Sequence, residues 1–176
     1  MIQELERQIT ALEVLVRQMV RTGVVTSVVA DRGMVRVRFP DNGKLVSNPL
    51  PVLFSRTQKN KAYDLPEVGE QVVCLFLPSG MEQGYVIGCP YSSKDKVPVT
   101  DPDKLHYAFG DKSFFEYDRK THKLILDIQG DVELTAKTVS VEASQTKFKG
   151  DLDVAGNISA TGSILDGGGN SNNHAH

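Results

Sequence analysis

The sequence predicts a mainly β protein in consecutive stretches: a short N-terminal helix, a small barrel and a long β shaft. Three observations carry that prediction. Apolar residues first recur at heptad spacing, then alternate with period two in short runs bounded by Gly, Pro, Asn and Asp. Near the C-terminus they fall into a Gly-marked repeat of six residues. The composition suits a folded chain: 176 residues, 40% apolar, 24% charged, formal net charge −2. Near-neutral charge argues against a dedicated nucleic-acid binder, which would carry a basic face. No apolar run approaches the roughly 18 residues of a membrane span. The opening segment, MIQELERQITALEVLVRQMV, is broken by charges and is not a secretory h-region. Cys74 and Cys89 form neither a disulfide framework nor a metal motif, so synthesis in a reducing cytoplasm is the simplest reading.

The helix is assigned to residues 1–22. Ile2, Leu5, Ile9, Leu12, Val16 and Met19 are spaced 3, 4, 3, 4, 3, a heptad seam, with Glu4, Glu6, Arg7, Glu13 and Arg17 off it. Gly23 is the expected stop. Two readings stand: an amphipathic helix packed on its own domain, or a short coiled coil or partner-docking helix. Ile or Val alternating with Leu or Met along the seam favours two strands by rule.

Residues 23–97 read as the barrel. Val24–Val29 and Met34–Phe39 alternate and are joined by Asp31-Arg32-Gly33, which makes a hairpin. Pro40-Asp41-Asn42-Gly43 is a second turn signal. Val46 and Leu50–Phe54 supply a third run, and Val68–Leu77 contains a buried strand. Pro78-Ser79-Gly80 turns the chain into Gly84–Gly88. Five short strands in this length suit an OB-like Greek-key barrel. Such barrels often bind oligonucleotides, and Arg56, Lys59, Asn60, Lys61 and Tyr63 are the best patch for it. One Tyr, with Asp64, Glu67 and Glu70 following, makes a poor stacking groove, so the patch reads as a solvated loop.

Four pieces of this region resemble a known family: Gly23-Val-Val-Thr-Ser-Val, Val35-Arg-Val-Arg-Phe-Pro, Leu65-Pro-Glu-Val-Gly-Glu-Gln-Val-Val and Gly84-Tyr-Val-Ile-Gly-Cys-Pro-Tyr-Ser. They resemble the N-terminal barrel of the phage baseplate assembly protein V family. These are central spikes of contractile-tailed phages, similar to the spikes of R-type bacteriocins and type VI secretion. The resemblance implies an intertwined trimeric, triple-stranded β-helix after the barrel, narrowing to a needle.

Residues 98–165 are the predicted shaft. Pro98, Pro102 and the polar residues between them read as a linker. Ser113–Tyr117 and Lys123–Ile128 are apolar-rich β runs around the turn Asp118–Thr121. Val132–Ala136 alternates strictly, as do Val139, Val141 and Ala143 with Ser140, Glu142 and Ser144. Gly150-Asp151-Leu152, Gly156-Asn157-Ile158 and Gly162-Ser163-Ile164 then repeat every six residues. A thin sheet with one narrow apolar face and two open edges is not stable alone. Three identical chains about one axis would bury rings of Leu152, Ile158 and Ile164 and pair every edge. The competing reading is an ordinary β-meander packed on the barrel.

Residues 166–176 are the predicted apex, ending His174-Ala175-His176. On an extended strand the i, i+2 spacing points both imidazoles to one face. One chain offers two nitrogens, whereas three chains offer six, which suits one octahedral first-row metal ion per trimer and argues against tetrahedral structural zinc. The family's spikes carry such a His pair at the apex, and the resemblance implies that the ion is iron. A polar, disordered tail is the bland alternative. His106 and His122 read as solvated, without a neighbouring acid or Cys at ligand spacing.

No catalytic residues are assigned. The Gly-rich stretches lack the strand-to-helix context of a phosphate loop, and Ser79 and Ser113 have no triad order around them. The expected function is therefore non-enzymatic. The resemblance implies that the chain would be the homotrimeric, membrane-piercing spike of a contractile tail baseplate, in a virion or a bacteriocin particle. Its partners would be baseplate hub and tail tube proteins and, transiently, the bacterial outer membrane, with no nucleic acid. The alternative is an OB-fold binding module for nucleic acid or glycan with a β oligomerisation tail.

Overall fold

The structure is a computed structural model and describes residues 1–40, 45–78 and 83–164. Among them one helix is followed by eight strands. The chain divides into two compact units, Met1–Gly130 and Asp131–His176.

Helix α1 spans Ile2–Met19, and none of its residues is buried. Glu4 in its first turn and Arg17 in its last match the helix dipole. The heptad seam is bare: Leu5 is 59% exposed, Leu12 61% and Val16 65%. An amphipathic helix packed down on its own domain would have covered that seam.

The helix stops before the expected Gly23 because strand β1 (Val20–Val29) claims the chain first. Val20–Gly23 pair antiparallel with Leu75–Val72 of β4 (Gln71–Phe76). Gly23 lies inside β1 for a packing reason. A Cβ there would lie 2.4 Å from Val37 Cγ1 and 2.8 Å from the Arg38 carbonyl oxygen.

The hairpin of β1 with β2 (Met34–Arg38) forms as expected. A 3-10 turn at Ala30–Arg32 leads to Gly33 at φ 63°, a left-handed position suited to Gly. Thr26 is the extra residue of a bulge, and its hydroxyl donates to the Arg36 carbonyl at 3.2 Å.

The third run yields only a two-residue strand, β3 (Leu50–Pro51), flanked by single bridges at Val46 and Val52. Strand β5 is Gly84–Gly88, as expected. The sheet order is β3-β2-β1-β4-β5. Val52 and Val86 then bridge in parallel, and the Leu53 N–H donates to the Val86 carbonyl at 2.9 Å. First and last strands thus meet, and the sheet nearly closes into an OB-like barrel. Its core comes from alternate positions, Val35 and Val37 on β2 and Val72, Cys74 and Phe76 on β4, with Val25, Phe39, Leu50 and Val86. Each such side chain contributes about 1.5–3 kcal/mol by leaving water. The turn signals at Asp41–Gly43 and Ser79–Gly80 lie outside the described residues.

A second sheet follows, with order β6-β7-β8. Strands β7 (Phe114–Asp118) and β8 (Lys123–Asp127) are the two expected runs. Asp118 Oδ1 accepts from the Lys120 and Thr121 backbone N–H groups and closes the turn between them. Strand β6 (Lys104–Ala108) was not expected, because Pro98 and Pro102 make the segment before it read as linker.

In the second unit, residues 131–164 contain no strand. The alternation at Val132–Ala136 and Val139–Ala143 makes no ladder within one chain. The apex, residues 166–176, and Leu165 at the end of the predicted shaft lie outside the described residues.

Candidate functional site

The residues proposed to meet at the apex, His174 and His176, lie outside the described residues. Their donor chemistry is what tests the fit to a metal: two neutral imidazoles per chain suit a first-row ion, and three chains would complete six-fold coordination. Among the described residues no group of three or more His, Cys, Asp or Glu is placed to hold a metal ion.

The expected shaft-packing residues are described. Leu152 is 62% exposed, Ile158 64% and Ile164 63%. Nothing lies within 4 Å of a Cβ built on Gly150, Gly156 or Gly162. Gly150 has φ 127°, which only Gly adopts readily. The hexad apolar residues are therefore uncovered in the single chain, and the Gly corners leave open space beside them.

The barrel loop weighed for nucleic acid is built differently from a stacking platform. Tyr63 stacks on Phe54 with ring centroids 5.9 Å apart and an interplanar angle of 17°. Its hydroxyl donates to the Ala30 carbonyl at 3.1 Å. Its ring and hydroxyl thus hold the loop to the hairpin. Arg56, Lys59, Asn60 and Lys61 remain exposed, as a solvated loop would.

His106 corrects the sequence reading. It lies in strand β6 and not in a loop, its side chain is 11% exposed, and Nδ1 is 2.9 Å from Glu116 Oε2. The register His106↔Glu116 across β6 and β7 creates this contact over a separation that local spacing cannot reveal. Lys104 Nζ donates to the other oxygen, Oε1, at 2.7 Å, and Phe114 stacks on the His106 ring at 5.3 Å. Glu116 is buried. The Lys104 hydrogen bond holds its carboxyl below the usual range, against the opposing effect of burial, and His106 adds to the lowering. The cluster satisfies its own charges and locks β6 to β7. His122 sits exposed in the β7–β8 turn at φ 53°, the solvated position expected of it.

Neither cysteine thiol is shifted towards the thiolate. Burial pushes the Cys74 thiol up to about 11. Cys89 is exposed at its surface, yet partial desolvation, then the Glu70 carboxylate, pushes its thiol up to about 12. Both stay protonated at neutral pH, and a thiol is a weak nucleophile.

The sequence reading missed the face on which β6 takes part. Leu105 and Tyr107 of β6, Phe115 and Tyr117 of β7 and Leu124 and Leu126 of β8 are in register and project to one side of the sheet. The alternation Lys104-Leu105-His106-Tyr107 was the available signal.

The comparisons agree with this architecture. Residues 21–91 match the family described as the type VI secretion system/phage-baseplate injector OB domain. The chain is 29% identical over 151 residues to the spike protein of Escherichia phage P2, a match covering 81% of this chain and 67% of that protein. The matched span 21–91 begins in β1 and ends just after β5, the limits of the nearly closed barrel. The barrel thus matches an injector OB domain, and most of the chain is similar to a phage spike protein.

Proposed function

We propose that this chain is the membrane-piercing central spike of a contractile tail baseplate. It works as a non-enzymatic homotrimer. The helix and barrel, residues 1–97, seat in the baseplate hub beside the tail tube. Residues 98–165 intertwine as a triple-stranded β-helix, and residues 166–176 form the point. The likeness of the barrel to the injector OB domain and of the chain to a phage spike protein supports the tail location, in a virion or an evolved bacteriocin particle.

One observation carries the trimer. Residues 131–164 form no strand in one chain, yet Val132, Leu134, Val141, Leu152, Ile158 and Ile164 are each more than half exposed. Unpaired strand edges and bare apolar residues are stabilised together when identical chains wrap one axis. Closure pairs the edges and buries the rings. A wrapped shaft is stiff, which is what a needle driven by sheath contraction requires.

At the point, His174 and His176 of three chains would hold one metal ion, iron by likeness to the family's spikes. The ion would tie three chain ends where fraying is greatest. Only neutral imidazole ligates, so metal is lost as pH falls below about 6.

Native mass spectrometry tests this reading. A species of three 19.3 kDa chains with one metal-sized increment, lost on acidification and absent from His174→Ala/His176→Ala, is the expected result. A metal-free trimer removes the apex site and keeps the needle. A monomer overturns the shaft.

A further inference from the structure

We propose that the loop Ser55–Lys61, between β3 and β4, is a docking site for an acidic protein segment, whose Asp and Glu side chains it takes by charge and hydrogen bonding. The partner's place, in the hub where residues 1–97 seat, rests on the spike reading, whereas the chemistry of the loop does not.

The loop is segregated in charge. The chain has 20 basic and 22 acidic residues, yet Ser55-Arg-Thr-Gln-Lys-Asn-Lys61 holds three cations, no acid and no apolar residue. All seven residues are exposed. Arg56, Lys59 and Lys61 enter none of the ion pairs among the described residues. Two of the acids that follow in sequence are engaged elsewhere. Glu70 Oε2 accepts from the Glu67 backbone N–H at 2.8 Å, and its carboxylate also bonds the Cys89 thiol. Asp64 lies close enough to act on the same thiol.

The loop is also held in shape. Thr57 and Lys61 bridge antiparallel, and the Ala62 N–H donates to the Arg56 carbonyl at 3.0 Å. At its base Tyr63 stacks on Phe54 and bonds the Ala30 carbonyl. Residues Ser55 to Asn60 line an open polar hollow of about 500 Å³. The lining hydroxyls and amides can donate hydrogen bonds, and Arg56 and Lys59 add positive charge. A preformed cup of donors loses less freedom on binding than a loose cationic tail.

These features select the occupant. Cations set among hydroxyl and amide donors match carboxylates. A single-stranded nucleic acid needs rings free to stack on successive bases. The two rings beside the loop, Phe54 and Tyr63, stack on each other instead. A lipid surface would need apolar side chains to insert, and the loop has none. An acidic protein segment asks only for what the loop presents.

The test uses the full chain and fluorescence anisotropy. The probe is an acetylated, fluorescein-labelled peptide of alternating Asp and Glu. Wild type is expected to bind it at low salt and to release it as salt rises to about 0.3 M. Arg56→Gln/Lys59→Gln/Lys61→Gln is expected to bind about tenfold more weakly, because three exposed ion pairs are lost. Lys94→Gln/Lys96→Gln, at exposed cations beyond the barrel, is expected to bind as wild type does. No binding by wild type, or equal binding by the triple variant, overturns the docking site. Oligothymidine that binds more tightly than the peptide, and is lost in the triple variant, overturns the acidic partner in favour of nucleic acid. If the triple variant melts early, carbodiimide coupling of the peptide to wild type decides. Lys59 and Lys61 should couple ahead of Lys94 and Lys96, and equal coupling overturns the site. The spike reading fails separately. A trimer that ignores the peptide overturns this inference alone, and a monomer that binds it overturns the trimer and keeps the loop.

Discussion

Arg21 and Phe39 offer a measurable test of how the helix-bearing strand is held to the barrel. Arg21 opens β1 two residues after the helix, and only 6% of it is exposed. Its guanidinium carbon lies 4.2 Å from the centroid of the Phe39 ring, which is itself 2% exposed and packs edge-on against Phe76 at 5.5 Å. A desolvated cation over an aromatic face contributes about 2 kcal/mol, and the edge-to-face pair adds about 1 kcal/mol. Phe39→Leu keeps an apolar side chain and removes both, so it should cost about 3 kcal/mol. Arg21 has further interactions, so Arg21→Met alone overstates the ring contact. The double-mutant cycle cancels those that do not involve Phe39. Urea unfolding, followed by circular dichroism at one fixed protein concentration, supplies the four free energies. The expected coupling is about 1–2 kcal/mol. A coupling below about 0.5 kcal/mol would refute the idea that the ring faces the cation productively, because a pair this close and this dry should not behave additively.

Other expectations follow from specific contacts. Gly84→Ala places a Cβ 2.6 Å from Phe76 Cδ1 and 2.8 Å from the Leu75 carbonyl oxygen, so it should destabilise the barrel by about 1–3 kcal/mol. Gly88→Ala, at the other end of β5, meets open space and should be neutral or slightly stabilising; thermal melts compare the two. The carboxyls of Glu116, Asp101, Asp111 and Asp118 are all held below their ordinary values. A lowered folded-state pKa gives stability that is present above the unfolded value and lost as pH falls through the folded one. Amide protection factors in β6–β8, exchange rates corrected for their intrinsic pH dependence, should therefore be high at pH 6 to 7 and fall as pH drops below the ordinary Glu value of 4.5, ahead of those in the barrel. Protection factors in β6–β8 that stay unchanged to low pH would contradict the Lys104–Glu116–His106 lock. With the proposed apex site, metal content should drop below about pH 6, well above that window, so apex and sheet would titrate separately.

Much of the barrel was legible because its signals are local. Gly33 after Asp31-Arg32 marks a hairpin, and alternating Val35 and Val37 mark a buried face within a few residues. The bounds were less legible where a distant strand decides them. Val20–Gly23 read as the end of a helix, and only their pairing with β4 turns them into strand. Gly23 carried a correct signal with the wrong cause, since its lack of a side chain serves Val37 and not a helix stop. His106 shows the same limit in a candidate site. Its acid partner is ten residues away across a hairpin whose first strand follows two prolines, so the strand was passed over despite its alternation and the pair was not visible. Residues 131–164 are the extreme case. Their alternation was plain, but a ladder requires a neighbour, and one chain supplies none.

The two faces of the β6–β8 sheet divide local order from assembly. The charged face completes itself within one chain, because Lys104 pairs with the only buried carboxylate among the described residues, on Glu116, and His106 lies within hydrogen-bond distance of its other oxygen. A newly made chain can therefore form this sheet before it meets another copy, and the sheet then presents Leu105, Tyr107, Leu124 and Leu126 ready-made. Residues 131–164 have no such internal completion, so in the proposed trimer their order would follow association. Assembly is then expected to proceed from the preformed sheet towards the C-terminus, with strand pairing added along the shaft as three chains come into register. A truncation after Gly130 separates the steps. It retains the whole first compact unit and the apolar face, and should still associate, more weakly and with a concentration-dependent sedimentation coefficient. If it stays monomeric at the highest soluble concentration while the full chain is trimeric, association begins in the shaft and the order argued here is reversed.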